Sequence, residues 1–159
     1  MSQVRTNSLV PAAGIPAGAN GGGIIQITQT VQSSTTSTTS SSFTDISGMS
    51  VSITPKSTSN KVFVLVNIAG ATSGGITEFR LLRGGTDIAR LGATFYNNGD
   101  PNNILNGDLH FLDSPATTSS TTYKMQFRNF DSNTTFVNRN TNNSTTATNS
   151  SITVMEVSG

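Results

Sequence analysis

The sequence predicts an all-β protein: a single jelly-roll-like antiparallel β-sandwich without significant helix, preceded by an extended N-terminal arm. Three observations carry this. Apolar residues recur with a period of two in stretches of five to nine residues, from Ile24 to Val157. Those stretches are separated by loops of Ser, Thr, Asn and Gly. No segment places apolar residues three and four apart over the length that a helix needs. Eight or nine strands in two sheets is the jelly-roll count.

The arm covers residues 1–23. It holds Pro11, Pro16, Gly14, Gly18 and the triplet Gly21-Gly22-Gly23, and so cannot bury enough apolar surface to offset its own ordering entropy. Either it is a loose terminus or it orders on a partner. Val4, Leu9, Val10 and Ile15 would then be its apolar contacts, Arg5 its charge, and Pro11 and Pro16 its stiff points. Residues 24–159 form the head. Ile25, Ile27 and Val31 share one face of the first strand, with Gln26, Thr28 and Thr30 on the other, as expected of a half-buried strand. Residues 33–42 are all Ser or Thr and read as an exposed loop or a strand edge. Phe43 restarts the β pattern, which runs through Val51 and Ile53 and stops at Pro55.

Lys61 to Ala69 is apolar on both faces, which marks a central strand covered on both sides. In a small domain that means a second sheet on one side and room for a neighbouring subunit on the other. Residues 76–92 form a hairpin whose turn, Gly84-Gly85, supplies the positive φ of a tight connection. No Lys-Ser/Thr pair and no helix follow it, so it is not a phosphate cradle. Residues 97–107 read as a long polar loop. Strands follow at Leu109 to Leu112, Thr122 to Phe130, Thr134 to Arg139 and Ser151 to Val157. Val62, Val64, Val66, Ile68, Phe79, Leu81, Tyr123, Met125 and Phe127 are the residues expected to build the core or an oligomer contact.

Composition narrows the function. The chain has 159 residues, of which 22 are Ser, 25 Thr and 16 Asn; only 11% are charged and the net charge is +1, against ~25% charged in an ordinary soluble domain. There is no Cys, no Trp and a single His. Thiol chemistry, disulfides and zinc ribbons are therefore excluded, and the charge gives no footprint for nucleic acid. The longest apolar run, Val62 to Val66, is far below the ~20 residues that cross a bilayer. The start of the chain lacks a convincing export signal, because Pro11 cuts off Leu9-Val10. Asp108, His110 and Asp113 lie close in sequence, and Asp108 and His110 would share a strand face. No nucleophile, oxyanion loop or third ligand accompanies them. Arg80 and Arg90 are placed to pair across the hairpin with Glu78 and Asp87, or to reach a neighbouring subunit. Glu78 and Glu156, the only glutamates, do not form the acid pair of a glycosidase. The expectation is no enzyme activity, no cofactor and no metal.

Four stretches carry a family resemblance: Phe43 to Val66 (FTDISGMSVSITPKSTSNKVFVLV), Phe79 to Ile88 (FRLLRGGTDI), Phe111 to Arg128 (FLDSPATTSSTTYKMQFR) and Ile152 to Val157 (ITVMEV). In this order they resemble a recurring module of tailed-phage virion proteins, of the marine and cyanobacterial phage type. The resemblance implies a jelly roll that assembles as a homotrimer, similar to tumour-necrosis-factor-like heads, and a place on the virion surface after synthesis in the host cytoplasm. A short arm and a compact head, without shaft, repeats or heptads, fit a capsid decoration or head-fibre protein held by other virion proteins, the major capsid protein foremost. The alternative is a tail-fibre or receptor-binding tip that recognises a host surface glycan or receptor. Nucleic acid and membrane insertion are not expected.

Overall fold

The computed structural model describes residues 23–96, 100–143 and 148–159. The expected arm contacts Val4, Arg5, Leu9, Val10, Pro11, Ile15 and Pro16 lie outside the described residues. Ten strands are present among them: β1 (Ile24–Gln32), β2 (Thr36–Thr38), β3 (Thr44–Ile53), β4 (Lys61–Thr72), β5 (Thr77–Arg83), β6 (Thr86–Phe95), β7 (Leu105–Asp113), β8 (Thr121–Asn129), β9 (Thr135–Val137) and β10 (Ser150–Val157). No helix occurs among the described residues.

The strands form two antiparallel sheets. One runs β1-β10-β4-β7, with short β9 and β2 continuing beside the far end of β4; the other runs β3-β8-β5-β6. Leaving β2 and β9 aside, the eight long strands take the jelly-roll order, crossing between the sheets at every connection except the β5-β6 hairpin, as the sequence predicts. β4 is the central strand. Its residues 62–67 pair with β10 on one side and β7 on the other. The hairpin closes at Gly84, whose φ is +58°. Tyr123, Phe79, Phe95, Phe127, Met49, Ile68 and Val62 are essentially sealed from solvent between the sheets.

Three local expectations are refined or corrected. Of the two readings of the Ser/Thr run, the strand edge holds for Thr36–Thr38, which forms β2 and pairs with β9. The polar stretch 97–107 is not all loop, since β7 begins at Leu105 and Asn106-Gly107 lies within it, opposite Ala69 and Ile68. Asn-Gly is a turn signal only where no long strand competes for its backbone, and here β4 does. The third correction concerns β1. Thr28 pairs with Val154, and Val154 with Val64, both in the core. Directly opposed residues share a face, so Gln26, Thr28 and Thr30 turn towards the second sheet. Ile27 and Val31, expected to face the core, point outward and are 56% and 52% exposed.

The head has two unlike ends. The polypeptide enters at Gly23 and leaves at Gly159 at the same end, where Ser158 N–H donates to Gly23 O at 3.0 Å and Gly159 N–H to Asn60 Oδ1 at 3.3 Å. The turns 54–60, 84–85 and 114–120 lie at this end. The Ser/Thr- and Asn-rich connections 33–35, 39–43, 73–76, 130–134 and 138–143 lie at the other.

Candidate interaction surfaces

All nine residues expected to build the core or an oligomer contact are buried in the core between the sheets. Surfaces open to a partner are therefore the outer faces of the two sheets, and these differ in chemistry.

The outer face of β3-β8-β5-β6 is charged and closed on itself. One cross-sheet row reads Asp45, Gln126, Arg80, Arg90. Asp87 takes both Arg80, at 3.4 Å, and Arg90, at 2.7 Å. Glu78 accepts two bonds from Arg128, at 2.9 and 2.7 Å. This corrects the expected pairing of Glu78 within the hairpin: Arg128, opposite it on β8, is nearer in register. Asp45 is held below its ordinary value by hydrogen bonds from Gln126 and then Lys124. Phe43 lies on this face with the guanidinium of Arg80 4.2 Å and that of Arg128 4.5 Å from its ring centre, and Arg128 also lies 3.9 Å from the ring centre of Phe130. Arginine is favoured on aromatic faces by the ring quadrupole, so Phe43 and Phe130 help to hold Arg80 and Arg128 on this face.

The outer face of β1-β10-β4-β7 carries few charges: Lys61 at one end and Asp108 towards the other. Paired residues align in rows across all four strands. Ile27, Met155, Phe63 and Leu112 form the first; Gln29, Thr153, Leu65 and His110 the second; Val31, Ser151, Asn67 and Asp108 the third. Leu112 is 50% exposed. The polar groups bond one another within the face: Gln29 Nε2 donates to Thr153 Oγ1 at 2.8 Å, and Asn67 Nδ2 to Asp108 Oδ1 at 2.7 Å. Asp108 and His110 do share a face, as expected, in adjacent rows. Sequence reading missed Phe63, Leu65, Met155 and Leu112 as surface residues. The signal was the apolar character of both parities in β4 and β7.

Other titratable groups serve the fold. Asp113 is buried and accepts from Tyr123 Oη at 2.6 Å and from Arg83 Nη1 at 2.8 and 2.9 Å, tying β7 to β8 and β5 across the sandwich. Burial, with Asp113 as acceptor, pushes the Tyr123 phenol well above its ordinary range, so it stays a donor. Glu156 is fully buried. Burial alone would raise its pKa, but bonds from Asn60 Nδ2, Gln26 Nε2 and the Lys56 backbone N–H outweigh that and hold the carboxyl below its ordinary value. Among the described residues no three His, Asp or Glu side chains are grouped to hold a metal ion.

No protein-family model matches this chain, and no curated protein does. Among solved structures the chain is similar to one in the structure of infectious bursal disease virus Gx strain, with a TM-score of 0.35 and 11% identity. The similarity covers 84% of this chain and 31% of the other, so the chain spans about a third of that protein. At this level it implies nothing about role.

Proposed function

We propose that the chain is a non-enzymatic structural protein of a phage virion surface, a capsid decoration or head-fibre protein whose head assembles as a homotrimer and whose arm, residues 1–23, attaches it to other virion proteins. The observation that carries this reading is the polarity of the head. The arm joins it at one end, beside Gly159, and the hydroxyl- and amide-rich loops crowd the opposite end. Such a molecule can be held by one end and present the other. The charged groups support the non-enzymatic part, because Asp113, Glu156, Glu78 and Asp87 are each engaged in bonds that fix the fold. A catalytic carboxylate needs a proton or substrate position left open to it.

The test is localisation and stoichiometry on intact particles of the phage that encodes the chain. Antibody labelling should mark the shell, and quantitative mass spectrometry should count tens to hundreds of copies per particle. A handful of copies at the tail would favour the receptor-binding alternative. Absence from purified particles would end the virion reading altogether.

A further inference from the structure

We infer that the outer face of β1-β10-β4-β7 is the surface through which copies of this chain bind one another, with Ile27, Met155, Phe63 and Leu112 as its apolar centre. The inference names the contact residues of the assembly proposed above and rests on that reading.

The first argument is the orientation of β1. An amphipathic strand turns its apolar side away from water. Here Thr28 and Thr30 lie on the inner side by register, Thr28 still exposed at the sheet's edge and Thr30 half-buried, while Ile27 and Val31 turn out. Within one copy that arrangement is paradoxical. It becomes ordinary if a second apolar surface covers the outer side. The same holds for β4, whose outer Phe63 and Leu65 are as apolar as its inner Val62, Val64 and Val66. The sheet is thus built for a layer on each side, and the chain supplies only one of them.

The second argument selects the occupant. Around a three-fold axis the same face of every copy turns inward, so like charges converge there and such a face must carry few. The three rows hold twelve residues with one permanent charge, Asp108, at the end of the last row, and the adjoining row adds one of opposite sign, Lys61. The opposite face of the sandwich carries Arg80, Arg90, Arg128, Lys124, Asp45, Glu78 and Asp87 and has no such property. A charged foreign partner would find little complement on the first face, whereas a second copy brings apolar rows of matching chemistry. The bonds Gln29–Thr153 and Asn67–Asp108 already satisfy polar atoms there, which lowers the cost of covering them.

The third argument is area. Four strands ~4.8 Å apart and five residues at ~3.3 Å each give the three rows about 300 Å², and the full length of β1, which takes in the Lys61 row, gives about 600 Å². Each partner in a stable complex covers ~800 Å², so this face supplies most of what is needed, and neighbouring loops add the rest.

The experiment uses the full chain and three variants: Ile27→Lys, Leu112→Lys and, as a control on the opposite face, Ser52→Lys. Ile27 and Leu112 are half exposed in the single copy, so lysine there can point into water and leave the fold intact, which far-UV circular dichroism checks. Light scattering at tens of micromolar should give a multiple of 16.6 kDa, three-fold for a trimer, for the wild type and Ser52→Lys. Ile27→Lys and Leu112→Lys should be folded monomers, with the dissociation constant raised at least a hundredfold. An oligomer that persists in both variants would overturn the assigned face while leaving assembly itself standing. A monomeric wild type would overturn self-association. If that monomer coats particles only while Ile27 and Leu112 are intact, the face docks another virion protein instead. Detection of the protein on particles is independent of all three results, so failure of the virion reading remains distinguishable.

Discussion

At the scale of single residues, the sandwich is clasped by groups that sequence alone presented as candidates for chemistry. Asp113, expected as part of a cluster with Asp108 and His110, sits instead between the sheets as acceptor for Tyr123 and Arg83. Its strand parity decides this: Asp108, His110 and Leu112 face out, and Asp113 is the buried end of β7. Tyr123→Phe removes one buried donor and should cost about 1 kcal/mol. Asp113→Ala strands both the phenol and a half-buried guanidinium and should cost about 2–3 kcal/mol. Urea unfolding of the two variants measures the order; equal losses would mean that the carboxylate is not the hub. Glu156 predicts a pH response. Its folded pKa lies below the ordinary 4.5, so the stability it contributes is complete above that value and is lost as pH falls through the folded one. Unfolding free energy should be flat from pH 7 to 5 and decline below about 4.5. Glu156→Gln should be weaker at pH 7 by about 1–3 kcal/mol, because an amide cannot accept all three bonds, and its decline towards pH 3 should be shallower. A decline as steep as wild type would place the acid sensitivity elsewhere.

At the scale of elements, the strand count, the central position of β4 and the Gly84-Gly85 hairpin were legible because each rests on local chemistry: a period of two, a double-sided apolar run, a residue free of Cβ. What was not legible was which side of β1 faces inward. Alternation reports that a strand has two unlike sides; only the partner strands fix their direction, and Thr28 becomes inward because Val154 and Val64 are. The charged outer face escaped for a related reason. Phe43 is an aromatic among alternating neighbours, and nothing in its own stretch shows that Arg80 and Arg128, 37 and 85 positions away, will lie against it. Gly70 is a further element-scale feature. Here β9 crosses so close to β4 that an added Cβ would run into the Phe136 carbonyl oxygen and the Phe95 ring. A carbonyl within a paired strand cannot step aside as a side chain would. Gly70→Ala should therefore cost about 3 kcal/mol, and thermal unfolding would register it as a lowered midpoint. A midpoint within a degree of wild type would mean that β9 is loosely held.

At the scale of the whole molecule, the proposed function assigns assembly to the head and attachment to the arm. The hydrophobic core is built from β3 to β10, and β1 begins directly after the Gly triplet, whose last member, Gly23, accepts from Ser158 N–H. A chain lacking residues 2–22 should fold, self-associate through the outer face and melt within a degree or two of the full chain. Attachment should behave differently. An extended segment can add itself to a partner's sheet edge through main-chain bonds, and Val4, Leu9, Val10 and Ile15 could each fill a shallow pocket for ~1.5–3 kcal/mol, less the entropy of ordering the arm. One arm would then be a weak anchor. On the proposed trimer, three arms would bind as a unit, because after the first has docked the others would search at millimolar effective concentration. Arm and oligomer are thus coupled: a monomeric head with an intact arm, such as Ile27→Lys, should bind particles more weakly than wild type by at least a hundredfold. The truncated chain should self-associate and yet fail to co-sediment with particles that lack the protein. Full occupancy by the truncated chain would put the anchor on the head and leave the arm without a role in attachment. Equal binding by Ile27→Lys and wild type would show that a single arm suffices and that the assembly serves something other than avidity.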